Sequence, residues 1–136
     1  MDQLATLYRA AQFYAHACHN LTKGPTFYQD HAAFGDLYGT YEEAYDGLVE
    51  RMIGTGEAFD IKTILTNATA EANKRPDPAA FSTNAIFTAV LDFESKFRAE
   101  IDAIYDSEST GTQNLLAGLA DESEARSYKL QQRLKA

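Results

Sequence analysis

Apolar and polar positions recur along the chain with the spacing of helices. Leu4, Leu7, Ala11, Tyr14 and Cys18 step by three and four. That stripe predicts a first helix ending near Asn20, ahead of the Gly24-Pro25 turn signal. The second run is the clearest. Phe27, His31, Phe34, Tyr38, Tyr41, Tyr45, Leu48 and Met52 alternate strictly by four and three, the mark of a long helix with a heptad-like seam. Pro25 suits its first turn, where a missing N–H costs nothing, and Gly54 and Gly56 end it. A looser stretch follows, in which Asp60 is placed to cap a short helix with Ile61, Ile64 and Leu65. NKRPDP reads as a loop. Asp77 then reads as an N-cap with Pro78 at the first helical position. The helix it opens carries Phe81, Ala85, Ala89, Phe93, Phe97, Ile101 and Ile104, and SESTG breaks it near Ser107. Thr110 and Gln113 have capping-box spacing for a last helix, on which Leu116, Leu119, Tyr128, Leu130 and Leu134 fall less regularly. No β alternation, internal repeat or low-complexity tract appears. The pattern predicts an all-α four-helix bundle with one long crossover, a short extra helix lying between the second and third long ones.

Composition narrows the function more than the fold. The 136 residues suit a single domain over 1–136 without long terminal tails, and a chain of this size can bury a real core. Apolar residues make up 45% of it, which argues against disorder. Twelve basic and twenty acidic residues leave a net charge of −8, a poor match for a phosphate backbone and a fair one for cations. The early acid in MDQLATLYRA argues against a secretory signal, and no apolar run approaches the ~18 residues of a membrane span. The one cysteine, Cys18, lies inside an apolar stripe. It reads as a buried, inert thiol in a reducing, cytoplasmic setting.

Three histidines carry the candidate chemistry. A bundle with one long crossover is the ferritin-like arrangement, whose internal di-iron site needs Glu-x-x-His pairs on two helices. No histidine here has a Glu three residues before it, so that internal site is excluded. His19 and His31 instead flank the Gly24-Pro25 turn symmetrically, and an antiparallel hairpin sets them opposite each other. Two facing imidazoles can bind a transition metal, and carboxylates would strengthen the hold on ferrous iron. Asp46 and Glu50, four apart on the second helix, share a face. Fifteen residues of helix span roughly 22 Å, beyond reach of His31 in the same chain. A two-fold axis removes the obstacle. Two antiparallel copies of the second helix bring His31 to Asp46 or Glu50 of the neighbour if they cross near about residue 38.5 or 40.5. Gly35 and Gly39 would let the backbones approach there, and an isologous dimer makes two identical sites at once. Plainer readings stand beside this one: packed histidines, a solvated acid pair, and glycines that serve packing alone. His16, one turn before His19, reads as structural or as a support behind the ligands.

His19, Gly24, Phe27, His31, Phe34 and Tyr38, followed by Asp46, Glu50 and Arg51, resemble the motif of the Dps family, the ferritin-like mini-ferritins. GTQNLLAGLADESEARSYKLQQRL is similar to that family's last helix. The match is good over residues 5–56 and 107–134 and weaker between. The resemblance implies a homo-oligomeric hollow dodecamer with iron as its metal. It implies ferroxidase sites at two-fold interfaces, with His19 and His31 from one chain and Asp46 and Glu50 from the neighbour as catalytic and metal-binding residues. It implies oxidation of ferrous iron, typically by hydrogen peroxide, and storage of ferric mineral as protection against oxidative damage. By position, Asp106 and Glu108 are candidates to line the acidic entry pores that the family has near the start of the last helix, the plainer reading being solvated loop acids, and Asn114 and Gly118 stand where acids would suit a pore.

The chain also departs from the family pattern. Gly35 stands where the family usually has a carboxylate, and Asp36 points about 100° away. Asn20 and Tyr128 stand at family Trp positions, and the chain has no Trp. Without basic tails, and with twelve copies at −8 each carrying roughly −96, little DNA binding is expected. Two alternatives follow. One is a Dps-like shell whose weakened site leaves it a structural or DNA-associated assembly. The other is a helical interaction module with no metal.

Overall fold

The computed structural model describes residues 1–135. It contains five helices: α1 (Asp2–Leu21), α2 (Phe27–Gly54), α3 (Ile61–Asn73), α4 (Thr83–Ile104) and α5 (Thr110–Leu134). A short 3-10 turn, Tyr105–Ser107, joins the last two. No strand occurs among the described residues. The four long helices form the bundle and α3 is the short helix of the crossover, packed on α1 through Ile64 and Ala68.

Side-chain bonds at the two ends fix the topology. Arg133, near the end of α5, donates to Asp30 at the start of α2 and to Asn84 at the start of α4. At the other end, Arg51 of α2 donates to Thr112 of α5. The helices therefore run up, down, down, up in the order α1, α2, α4, α5. The long crossover exists to return the chain so that α2 and α4 lie parallel.

The helix starts differ from the sequence expectation in three places, each for a local reason. Asp77-Pro78 does nucleate a turn: Asp77 accepts from the N–H groups of Ala79, Ala80 and Phe81. That turn stops because Ser82 is extended, and Ser82 caps α4 by accepting from Ala85 N–H. Phe81 consequently lies outside α4, exposed. At α5 the cap is Ser109, not Thr110. Its hydroxyl accepts from Thr112 N–H, while Gln113 donates to the Tyr105 carbonyl rather than closing a capping box. Pro25 precedes α2, whose N-cap is Thr26. Asp60 does cap α3, accepting from Lys62 and Thr63 N–H, a contact typical of about 1 kcal/mol of helix stability.

The irregular stripe of α5 has a physical cause. Tyr128 faces solvent, and the buried face includes Ser123 and Ser127. Those serines face a charged centre. Glu94 of α4 is fully buried and accepts hydrogen bonds from Tyr41 (2.5 Å), Ser123 (2.8 Å) and both Nε and Nη2 of Arg126 (2.8 and 3.1 Å). Arg98 donates to both serine hydroxyls. Burial would lower the Arg126 pKa, but Glu94 outweighs it and the guanidinium is held more firmly protonated than usual. Burial, and then Glu94, push the Tyr41 phenol far above its ordinary range. Above this centre Tyr8 stacks on Phe97 with ring centroids 3.9 Å apart. The ferritin-like bundle has its usual internal metal position in its middle; this chain fills the middle of its bundle with an ion pair.

Removing one partner of such a pair strands a buried charge. We predict that Arg126→Ala lowers unfolding stability by about 3–5 kcal/mol, and that Glu94→Gln/Arg126→Met recovers most of the loss, as measured by urea denaturation. At the bundle end, burial would raise the Asp30 pKa, but hydrogen bonds from Arg133 and Thr26 and the Arg133 charge hold it below its ordinary 3.8. A carboxyl that titrates lower when folded contributes stability above 3.8 and loses it as pH falls through the folded value. Asp30→Asn is therefore expected to flatten the acid limb of the stability–pH curve and to lower stability at neutral pH.

Candidate metal centre

The α1–α2 hairpin sets the first two candidate ligands. Gly24 turns the chain at φ +99°, a conformation that favours glycine. Thr22 N–H closes the end of α1 on the Cys18 carbonyl. Across this turn the rings of His19 and His31 stack, centroids 3.7 Å apart and planes 21° from parallel. Each ring also bonds the other residue's backbone: His19 Nδ1 to the His31 carbonyl and His31 Nδ1 to the His19 carbonyl, both at 2.7 Å.

A carbonyl only accepts, so both Nδ1 atoms must carry protons. In the neutral rings the lone pair is then on Nε2, and neither Nε2 has a hydrogen-bond partner among the described residues. Metal-binding histidines characteristically present one nitrogen this way while the other donates to a carbonyl or carboxylate. Neighbouring rings hold the pair in place. Phe27 stacks on His31 at 4.9 Å and Tyr38 meets His19 edge-on at 5.4 Å. His16, one turn before His19, is exposed and lies face-on against Tyr38 at 4.1 Å.

Gly35 is part of this packing. A Cβ there would lie 3.2 Å from both Cε1 and Nδ1 of His19. The absent side chain is thus the space into which the His19 ring fits. Asp36, the neighbouring acid, is exposed and lines a separate recess of about 390 Å³ between α2 and α5, with Leu37, Arg126 and Arg133.

Asp46 and Glu50 stand further along α2, both exposed. The structure does not bring them to the histidines within one chain. Among the described residues, no three His, Cys, Asp or Glu side chains gather as a metal site. The backbone beside them is open: a Cβ at Gly39, Gly47 or Gly54 would meet nothing within 4 Å. Asp106 and Glu108 fall in and just after the 3-10 turn, and Asn114 and Gly118 are exposed on α5. Cys18 is fully buried and its thiol is pushed up to about 12 by burial, so it is inert, as its place in the stripe implied.

Sequence reasoning missed Glu94 and Arg126. The signal was present: Glu94 shares a helical face with Val90, Phe97 and Ile101, all buried. An acid in that register needs a buried cation, and only the fold shows which one.

A family model described as a ferritin-like domain matches residues 1–136, and the chain belongs to that family. Membership places it among iron-handling ferritin-like proteins. Its fold is similar to that of a solved DPS protein from Vibrio cholerae O1, described as a member of a broad superfamily of ferritin-like diiron-carboxylate proteins. The TM-score is 0.84 over 98% of this chain and 86% of that one, at 19% identity. Compared with curated proteins by sequence, the chain matches none. The all-α ferritin-like fold and the mini-ferritin resemblance both stand. No helix among the described residues is long and apolar enough to cross a membrane.

The contact at Gly35 yields a direct test. Gly35→Ala should displace the His19 ring by a few tenths of an ångström and weaken divalent-metal binding by about tenfold, the scale of a lost supporting contact. Calorimetric titration with Zn2+ checks it. Unchanged affinity would mean that the ring has room to spare.

Proposed function

We propose that this protein is an iron-sequestering mini-ferritin with ferroxidase activity. His19 and His31 of one subunit and Asp46 and Glu50 of its neighbour form each site across a two-fold axis. The observation that carries this reading is the reciprocal Nδ1–carbonyl pairing, which leaves the Nε2 lone pair of each ring without a partner and open to a metal. The reading is also supported by the position of the two acids on the exposed face of α2, beside open glycine backbone. Two neutral imidazoles alone hold a cation weakly. Two carboxylates from the neighbour add the negative charge that favours the ferric product.

Iron is substrate and cargo here. Two ferrous ions give up one electron each, and hydrogen peroxide accepts both as its O–O bond breaks, leaving two hydroxides. The ferric ions then pass into mineral inside a hollow homo-oligomer of twelve subunits, with Asp106 and Glu108 lining the entry route. The cytoplasm is the compartment such a protein would protect from oxidative damage, and its acidic charge disfavours DNA.

Ferrous-iron oxidation with peroxide tests this, followed by ferric absorbance. Wild type is expected to exceed His31→Ala/Asp46→Ala by about tenfold or more. Equal rates would leave the structural-shell reading, which the missing carboxylate at Gly35 favours.

A further inference from the structure

We infer, on the metal-centre reading above, that Arg133 is a positioning residue for His31 and acts through Asp30.

The start of α2 has almost no apolar anchor. Among the described residues from Lys23 to Ala33 only Asp30 is buried, and Phe34 is the first buried apolar side chain of the helix. Tyr28 is exposed, and the Thr26 side chain caps no backbone N–H. On the side away from α1, the turn that carries His31 is therefore attached to the bundle by one carboxylate.

That carboxylate is held at both oxygens. Arg133 donates through Nε to Oδ1 and through Nη2 to Oδ2, both at 3.1 Å. Thr26 Oγ1 donates to Oδ2 at 2.6 Å. Two parallel bonds from a planar guanidinium fix direction as well as distance. Its third arm, Nη1, donates to Asn84 at 3.0 Å, and its central carbon lies 4.8 Å from the centre of the Phe87 ring. Phe87 is buried, so Arg133 ties the loose start of α2 to a packed part of α4.

Asp30 and His31 are consecutive, and their side chains leave the helix about 100° apart. One meets Arg133 and the other meets the backbone of His19. The turn is thus gripped from two sides, and the grip on Asp30 sets where the His31 ring reaches α1. Without the fork the turn is free to shift against α1. Both 2.7 Å Nδ1 bonds then weaken together, because each runs to the other residue's backbone.

Solid-state NMR of the metal-free protein labelled with nitrogen-15 histidine tests this, at a pH where the imidazoles are neutral. Wild type is expected to hold His19 and His31 each as a single Nδ1–H tautomer. Arg133→Ala and Arg133→Lys should each show a mixture with the Nε2–H tautomer, and should bind Zn2+ about tenfold more weakly by calorimetry. Lysine keeps the charge and the stem but not the fork, so it preserves the fold while releasing the geometry. Ile101→Val, on the buried face of α4 near its other end, lowers stability without touching the turn. It should leave both readouts at wild-type values. Single Nδ1–H tautomers in both Arg133 variants would overturn the inference, and so would an equal mixture in Ile101→Val. A wild type that keeps the single tautomers but takes up no Zn2+ would overturn the metal-centre reading, while the tautomers still decide the role of Arg133.

Discussion

A carboxylate enclosed by four helices must be neutralised and fully hydrogen-bonded, or the bundle does not close around it. Glu94 meets that demand with Arg126, Ser123 and Tyr41, so one side chain of α4 gathers partners from α2 and α5. Tyr8 and Phe97 stack above it and bring in α1. Much else follows from this one group. It explains the serines on the buried face of α5 and the second arginine that bonds them.

The ion pair also decides where chemistry can occur. The bundle interior is already filled by a guanidinium and a carboxylate, and among the described residues no second acid or histidine bonds Glu94. The proposed metal chemistry therefore lies at the outer seam between α1 and α2. There a tight turn does what a rigid interior would otherwise do. It stacks two imidazoles, fixes their tautomers through reciprocal carbonyl bonds and leaves each Nε2 without a partner among the described residues. In the proposed function that seam is half a site. The acids that suit it lie about fifteen residues further along α2, and a helix cannot bend back to deliver them. Assembly is therefore part of the proposed chemistry, since a second copy supplies by symmetry what one copy cannot.

Gly35 takes on a different meaning in this setting. As a sequence position it reads as a lost ligand. In the fold it is the gap that admits the His19 ring, so a carboxylate could not be restored there without moving the histidine.

Periodicity determined most of the fold, because helix-forming stripes are local and every buried residue recurs at i+3 or i+4. The four long helices, the crossover helix and the facing of His19 and His31 were all legible this way. The last of these needs only an antiparallel turn with a midpoint. Helix starts were less legible at Asp77 and Thr110, where a neighbouring serine won the cap through its extended backbone. The sequence alone also excluded an internal Glu-x-x-His site. Only the tertiary structure decided that Glu94 pairs with Arg126, thirty-two positions away, because a buried charge chooses its partner by space and not by spacing. Only it showed that both histidines donate through Nδ1 and that Gly35 makes room for one of them. Hydrogen-bond direction and the absence of a side chain have no period to read; they exist once the helices have met.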